Sequence, residues 1–322
     1  MRSSARPPIA DPRTRIRAVL AGAAVGDVLG ATWEFSPPSA IPSERRLTVQ
    51  GGGPFGWPPG AFTDDTDLLL VTASAYGGAR APGAWSEAAF VDGLLAWFRS
   101  GPRDVGAQTA RACRHWLSHA APPPLDEAAQ GNGGLMRAAP HGLAHPDAGK
   151  ACAAAEADTR LTHPSALAAA CSGLYAAVLS NLVWRGETDW RAALPALPAT
   201  PAHDRLRRAL AGLAPAPAPP QDPGGWCLHT LRLALWALDS GLGYEAGVQA
   251  VIRTGGDTDT NACVAGALLG ARWGLQAIPQ DWLGAVTGEG RRRLAAAAAR
   301  LAAAAADQQK KRSSTTLPSC TV

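Results

Sequence analysis

The feature that most constrains this fold is a pair of acidic clusters, far apart in the chain, that each lead into an Ala/Leu-rich helix-forming run. The first reads TDDTD at residues 63–67, and the second reads GGDTDT at residues 255–260. Carboxylates crowded in this way repel one another. Because hard divalent cations such as Mg²⁺ bind carboxylate and hydroxyl oxygens, we predict that the chain folds back to bring both clusters to one metal site.

The composition predicts an all-α protein. The 322 residues are 47% hydrophobic, which allows a large core, yet only 6% are aromatic. Ala and Leu favour helices, whereas the β-branched and aromatic runs that mark strands are scarce. Gly and Pro separate the candidate helices. These are predicted at about 14–35, 65–77, 84–99, 103–120, 147–160, 164–184, 203–213, 226–240, 243–253, 257–274 and 280–305.

We predict one compact domain over residues 13–305. Residues 1–12 and the basic tail at 306–322 are predicted to be disordered. The segment 192–225 is rich in Ala and Pro and low in complexity, which predicts a surface insertion or linker.

Charge and cysteine usage limit the partners and the compartment. Most of the net charge of +4 lies in the two chain ends, which argues against a nucleic-acid groove. The six cysteines are scattered without a CxxC pair, which predicts a reducing, cytoplasmic setting. The Arg-rich start resembles a signal peptide, but its apolar run is short and meets Asp27 at once. No stretch approaches the ~20 uninterrupted apolar residues of a membrane span, so no membrane partner is predicted.

The spacing within each cluster suggests how the cations are held. Adjacent Asp64 and Asp65 splay apart at a helix start and could face different ions. Asp257 and Asp259 lie two apart beside Thr260, and this spacing converges their oxygens on one centre. With water, these groups could complete two octahedral sites. The alternative is that the Asp and Thr residues only cap helices, but two clusters of this charge density favour metal.

Five segments, in matching order, resemble the ADP-ribosylglycohydrolase family. They are GAAVGDVLGATWEF, FTDDTDLLL, GNGGLMRAAPHGL, LTHPSALAAA and TGGDTDTNACVAGALLGARWG, and the resemblance covers roughly residues 14–290. The family includes dinitrogenase-reductase-activating glycohydrolases and ADP-ribosyl-arginine and ADP-ribosyl-serine hydrolases. The resemblance implies an orthogonal all-α bundle with a binuclear Mg²⁺ site (Mn²⁺ in some members). The implied reaction is hydrolysis of the glycosidic bond between ADP-ribose and an acceptor.

The resemblance also implies a role for each matching position. The implied metal ligands are Thr63, Asp64, Asp65, Asp257, Asp259 and Thr260. The implied catalytic residues are Glu34, which follows the first glycine motif, together with Asp65 and Asp257. The implied substrate-binding residues are Asn132, Gly133, Met136, Arg137, His163 and Gly255.

Simpler interpretations of several positions stay open from the sequence alone. Asn132 lies between glycines and could be a turn residue. Met136 and Arg137 could only pack and pair beneath that loop, and His163 could simply precede a helix. Asp67 departs from the family pattern and could bind metal or face solvent.

The chemistry is consistent with these residue types. Glycosidic cleavage builds oxocarbenium character and needs a positioned water and a protonated leaving group. Metal ions can hold ribose hydroxyls and activate water, and Glu34 or a cluster aspartate can move the proton. The sequence does not separate the general acid from the general base. Asp27 is predicted to make a structural hydrogen bond beneath the site.

The leading hypothesis is a cytoplasmic, monomeric, Mg²⁺-dependent hydrolase that removes ADP-ribose from arginine on a modified protein. A second hypothesis keeps the site but has a small-molecule ADP-ribose ester or nucleotide as substrate. A third is a non-catalytic ADP-ribose-binding or structural relative, although intact acidic clusters argue against it. Metal-dependent phosphoester hydrolysis is a further alternative.

Overall fold

Helix starts and stops follow the capping residues and the Gly/Pro breaks. The computed structural model describes residues 11–78, 83–213 and 225–315, and these contain α-helices, short 3₁₀ turns and isolated bridges but no strand. The all-α prediction is confirmed. The helices are α1 (Pro12–Gly30), α2 (Asp64–Ser74), α3 (Glu87–Arg99), α4 (Ala107–His119), α5 (Gly133–Met136), α6 (Ala139–Ala144), α7 (Ala148–Arg160), α8 (Ala166–Arg185), α9 (Pro201–Leu210), α10 (Cys227–Asp239), α11 (Tyr244–Ile252), α12 (Thr258–Trp273), α13 (Gln280–Ala285) and α14 (Gly288–Thr315).

Several helices begin at a side-chain cap that the sequence provides. Ser86 accepts a hydrogen bond from the amide of Ala89 at the start of α3. Asp147 caps α7 and Ser165 caps α8 in the same manner. Such caps satisfy amides that have no partner inside the helix, and they explain why most predicted boundaries lie within a few residues of those observed.

Helix α8 forms the centre of the core. Its residues 167–183 are all buried. Among the described residues it is the one helix whose length and composition meet those of a membrane span, with 20 residues and a mean hydropathy of 1.7. Ser172, Ser180 and Asn181 interrupt this helix, so it does not hold the ~20 uninterrupted apolar residues considered in the sequence analysis. Since 94% of the apolar window is buried inside the protein, the apolarity of α8 is explained by packing.

Close packing of α1 against α12 places the second acidic cluster. A Cβ atom added to Gly26 would lie 2.1 Å from the carbonyl oxygen of Ala262, and one on Gly22 would lie 2.3 Å from that of Gly266. One on Gly30 would lie 2.5 Å from the carbonyl oxygen of Thr258. Only glycine permits this separation, so the two backbones touch along a seam that ends at the start of α12.

The prediction of an insertion at 192–225 needs correction. Trp190–Ala196 forms a 3₁₀ helix and is followed by α9. Ala193, Leu206 and Leu210 are at most 2% exposed and belong to the core. Pro201 starts α9 at a position where proline is favoured, so the Ala/Pro composition here accompanies folded structure. The remainder of the predicted insertion, 214–224, lies outside the described residues.

The predicted chain ends also need adjustment. Helix α1 begins at Pro12, and α14 continues to Thr315, so the tail predicted from residue 306 is wrong for 306–315. Gln308 on α14 hydrogen-bonds to His145 at 2.7 Å and donates to the carbonyl of Gly83 at 2.9 Å. These contacts extend the last helix beyond the predicted boundary. Residues 1–10 and 316–322 lie outside the described part of the chain.

Candidate metal centre and active site

The N-termini of α2 and α12 meet, and this brings the two acidic clusters together. The hydroxyl of Thr260 on α12 donates a hydrogen bond to Oδ2 of Asp65 on α2 at 3.1 Å. Both helices point their partially positive N-terminal ends at the site, which favours negative side chains there. The convergence expected from the sequence is present in the fold.

Asp27 on α1 fixes the start of α2 from below. Its carboxylate accepts the amide of Thr63 at 3.2 Å, the amide of Thr66 at 3.1 Å and the Thr66 hydroxyl. Complete burial raises the pKa of Asp27 to about 7, against the opposing effect of these hydrogen bonds. The structure therefore gives Asp27 the supporting position that the sequence predicted. Thr63 caps α2, with its hydroxyl accepting from the Asp65 amide at 3.2 Å.

Glu34 joins the second cluster through a short backbone bridge. The amide of Phe35 donates to the carbonyl of Gly256 at 2.7 Å, and the amide of Gly256 donates to the carbonyl of Ser36 at 3.0 Å. Carboxylate oxygens of Glu34, Asp257 and Asp259 then lie within 4.8 Å of one another. The bridge explains how a residue far away in sequence joins the acidic group.

Gly255, which the sequence placed at the substrate, has a backbone role. Its φ is +73°, a conformation that favours glycine. An added Cβ would lie 2.7 Å from the carbonyl oxygen of Ser36. Gly255 does not line the cavity described below, so the structure assigns it to the turn that positions Asp257.

Three buried carboxylate oxygens of the cluster have no hydrogen-bond partner among the described residues. They are Oδ1 of Asp65, Oδ1 of Asp259 and Oε2 of Glu34. An unpaired buried acceptor costs about 1–3 kcal/mol, and more if it is charged. Divalent cations would satisfy these atoms with the oxygen ligands that such ions prefer. The side chains therefore fit a metal site.

The burial and crowding of these carboxylates also raise their pKa values. Burial, followed by the charge of Asp104 and of Asp257, raises the pKa of Glu34 to about 8. Burial is also the main cause that raises the pKa values of Asp64, Asp65 and Asp259 well above the ordinary range. The cluster thus needs either bound protons or bound cations to neutralise it.

A cavity of about 230 Å³ opens directly above the acidic residues. Its lining includes Glu34, Asp64 and the start of α12, together with the loop from 131 to 133. Asn132 Nδ2 donates to Asp257 Oδ2 at 2.7 Å and lies 3.0 Å from Thr230 Oγ1. The Asn132 side chain therefore links the glycine-rich loop to the metal cluster.

His163 also lines this cavity, beside Gly133. Its Nδ1 lies 2.8 Å from the hydroxyl of Thr162. Burial, and then the charge of Arg137, lower the pKa of His163 to about 3. The imidazole is therefore neutral at physiological pH and can exchange hydrogen bonds with a substrate without adding charge.

Two residues of the sequence motifs lie away from the cavity. Arg137 is fully buried; it pairs with Asp158 at 3.1 Å and donates to the carbonyl of Gly133 at 2.9 Å. Arg137 is not among the residues that line the cavity, and its bond to Gly133 supports the loop from beneath. Met136 does line the cavity. Asp67 forms an ion pair with Arg293 on α14 at 2.8 Å and is thus separate from the acidic site.

Sequence reasoning missed several residues of the cavity, among them Asp104 and Gly225. Asp104 lies just before α4, hydrogen-bonds to Asp64, and has its pKa raised mainly by burial. A lone carboxylate in a Gly/Pro break was its only signal. Gly225 was assigned to the insertion, yet its carbonyl accepts the Asn132 amide at 3.0 Å. A Cβ there would lie 2.9 Å from Asp257 Oδ2, so glycine keeps this wall open.

The fold and site define an all-α protein with an acidic cavity, and comparison with known proteins identifies its family. The ADP-ribosylglycohydrolase family profile matches residues 8–311. An ADP-ribosylarginine hydrolase from Pseudomonas putida (strain GB-1) is 28% identical over 285 residues, which cover 84% of this chain and 74% of that protein. The ADP-ribosyl-[dinitrogen reductase] glycohydrolase of Rhodospirillum rubrum is 30% identical over 271 residues, covering 81% and 86% respectively.

A solved structure gives the same result. A chain of an ADP-ribosylglycohydrolase-related protein complex superposes with a TM-score of 0.77 at 32% identity, covering 92% of this chain and 99% of that one. The protein therefore belongs to the ADP-ribosylglycohydrolase family and is a hydrolase of glycosidic bonds to ADP-ribose. The family resemblance and the single all-α domain expected from the sequence are confirmed.

Proposed function

We propose that this enzyme is a Mg²⁺-dependent hydrolase that releases ADP-ribose from modified arginine on a protein. The observation that carries the proposal is the convergence of both acidic clusters and Glu34 at the base of one cavity. The name of the Pseudomonas putida relative supports arginine as the acceptor. The name of the Rhodospirillum rubrum relative supports a protein as the modified substrate.

The donor set supports a pair of hard cations, Mg²⁺ or Mn²⁺. The residues that would hold them are Asp64, Asp65, Asp257, Asp259 and Thr260, with Thr63 beside them. When bound, the cations supply Lewis-acid chemistry to the hydroxyls of the substrate ribose and to water. Soft metals are disfavoured because every one of these donors is oxygen.

Glu34 is the carboxyl group best suited to move a proton at the scissile bond. It borders the cavity, and its Oε2 has no hydrogen-bond partner among the described residues. Its raised pKa of about 8 means that it can hold a proton near neutral pH, as a general acid must. Cation binding nearby would lower this pKa and favour the base form, so the two roles stay unassigned.

The loop at 131–133 and His163 orient the substrate. Asn132 is held by its bond to Asp257, so the loop at 131–133 keeps a fixed distance from the acidic residues. Neutral His163 beside it can hydrogen-bond to ribose or diphosphate oxygens. Holding the glycosidic carbon over the acidic cluster in this way lowers the entropic part of the barrier.

The test is incubation with a protein carrying ADP-ribosyl-arginine, with and without EDTA, followed by chromatography of the products. We expect free ADP-ribose, its loss in EDTA, and its recovery with Mg²⁺ or Mn²⁺. Matched serine-linked and ester-linked substrates measure the acceptor preference. Release of AMP would instead indicate phosphoester chemistry, and tight ADP-ribose binding without turnover on any linkage would indicate a binding protein.

A further inference from the structure

A second group of potential metal ligands lies on helices that do not carry the acidic clusters. Cys152 and Glu156 are one turn apart on α7, and His203 is on α9. Their exposed fractions are 1%, 6% and 2% respectively. One ligand atom from each lies within 4.8 Å of the other two. None of the three lines the cavity of the acidic site.

The side chains of His203 and Cys152 both turn toward Oε1 of Glu156, so a metal ion would sit among these three atoms. His203 Nε2 lies 2.6 Å from Oε1 of Glu156, and Cys152 Sγ lies 3.4 Å from the same oxygen. A tetrahedral zinc ion with bonds of about 2.0–2.3 Å holds its ligand atoms about 3.3–3.6 Å apart. The sulfur–oxygen distance already fits this geometry, and the nitrogen–oxygen distance must widen by less than about 1 Å when the ion binds. Thiolate, imidazole and carboxylate are together the donors that Zn²⁺ selects over Mg²⁺.

Neighbouring residues orient these ligands as they do in known metal sites. The hydroxyl of Thr200 lies 2.7 Å from Nδ1 of His203, which leaves Nε2 for the centre. Arg160 donates to Oε2 of Glu156 at 2.9 Å and leaves Oε1 for the centre. Hydrogen bonds of this kind to the far side of a ligand raise metal affinity.

Helix α8 leaves space for the group at Gly173. A Cβ atom there would lie 2.8 Å from Cys152 Sγ and 3.0 Å from Glu156 Oε1. Glycine in a helix interior costs roughly 0.5–1 kcal/mol relative to alanine. The missing side chain therefore has a local purpose, which is to admit the thiol and the carboxylate.

We propose that Cys152, Glu156 and His203 form a second metal site, which binds a cation of the Zn²⁺ class and fastens α9 to α7. Binding replaces the Cys152 S–H bond with a metal–sulfur bond, and the proton passes to the buffer. Water completes the tetrahedral set. The site does not take part in the hydrolysis and does not depend on the acidic cluster.

Cobalt spectroscopy of the full-length, metal-stripped protein tests this proposal. Co²⁺ at the acidic cluster has only oxygen ligands, whereas Co²⁺ bound by Cys152 gives a thiolate charge-transfer band and intense tetrahedral d–d bands. We expect these bands in the wild-type protein, with one equivalent of Zn²⁺ abolishing them. They should persist in Asp64→Ala, which alters only the acidic site.

Two variants assign the bands to this site. Cys152→Ser and His203→Gln should each remove or strongly change the thiolate spectrum. Cys113→Ser, which alters another buried thiol on α4, should leave it intact. Circular dichroism checks that each variant is folded. Absence of the thiolate bands in the wild-type protein overturns the proposal even if a variant fails to fold, and so does their persistence in folded Cys152→Ser.

Discussion

Neighbouring residues of the first acidic cluster have different partners. Asp64 faces the cavity and Asp65 bonds to Thr260, whereas Thr66 turns back to Asp27. Asp67 pairs with Arg293 on the surface. Successive residues of a helix project about 100° apart, so one acidic run divides between the site, its support and an outer ion pair.

This division yields a matched pair of substitutions. Asp257→Ala or Asp64→Ala removes a carboxylate from the cavity. Mutation of residues that only hydrogen-bond to metal ligands costs about 10–100-fold in activity. We therefore expect the rate of ADP-ribose release to fall by on the order of 100-fold or more. Asp67→Ala removes a carboxylate from the same helix turn as Asp64 and should retain near wild-type rates. Initial rates at saturating Mg²⁺ are the measurement. Equal losses in Asp64→Ala and Asp67→Ala would contradict the division.

Replacing Asp27 by asparagine, which has nearly the same shape, tests whether its carboxylate supports the start of α2. Asp27→Asn places amide hydrogens against the backbone amides of Thr63 and Thr66, so we expect the free energy of unfolding to fall by about 1–3 kcal/mol. Urea unfolding measures it. Asp92→Asn on the exposed side of α3 is the control, with an expected change within about 0.5 kcal/mol. Similar changes in the free energy of unfolding for the two variants would show that Asp27 does not support the start of α2.

At the scale of elements, the contact between α1 and α12 controls the geometry of the site. Gly26 and Gly30 of α1, which pack against α12, lie on either side of Asp27 in the sequence. Helix α12 carries Asp259 in its first turn. Close backbone approach therefore couples the support of the first cluster to the position of the second. A change in helix separation would move both.

Substitution in the seam tests this coupling. Gly26→Ala would bring a Cβ to 2.1 Å from the carbonyl oxygen of Ala262, and helix backbones adjust poorly to such overlap. We expect about 1–3 kcal/mol of destabilisation, occasionally more, together with weaker Mg²⁺ binding. Gly284→Ala on α13, where an added Cβ meets nothing within 4 Å, is the control. Unaltered stability and metal affinity in Gly26→Ala would show that the seam is not tight.

At the scale of the whole molecule, the fold buries a group of acidic side chains whose charge is not neutralised by basic side chains nearby among the described residues. Burial places the pKa of Glu34 at about 8 and that of Asp27 at about 7, against ordinary values of 4.5 and 3.8. The folded state thus binds more protons than the unfolded chain between about pH 4 and pH 8. Stability contributed by these protonated groups is lost as pH rises through that window.

Cations and protons therefore compete to neutralise the site. We expect Mg²⁺ or Mn²⁺ to raise the melting temperature, and to raise it more at about pH 8 than at about pH 6, where protons already neutralise part of the charge. Differential scanning fluorimetry with cation or EDTA measures both increments. The increments should be much smaller in Asp257→Ala. A larger increment at the lower pH would contradict this account of the cluster.

Local patterns predicted much of the fold and part of the site. The helix content and most helix limits followed from Ala/Leu runs, caps and Gly/Pro breaks, because those signals act within a few residues. The prediction of loose chain failed at 192–202 and 306–315, where packing orders the chain, whereas the helix predicted at 203–213 is present as α9. Composition records local preference, and burial against distant helices can override it.

The amino-acid sequence by itself determined that this chain is helical and that two oxygen-rich clusters stand at helix starts. Only the tertiary structure decided that Asp104 and Gly225 complete the cavity and that Arg137 lies beneath it. It also decided how Glu34, which the family resemblance had implicated, reaches the other carboxylates. The physical reason is the distance along the chain over which each kind of interaction acts. Capping and periodicity depend on neighbours along the chain, whereas the environment of a carboxylate depends on which distant backbones approach it and exclude water.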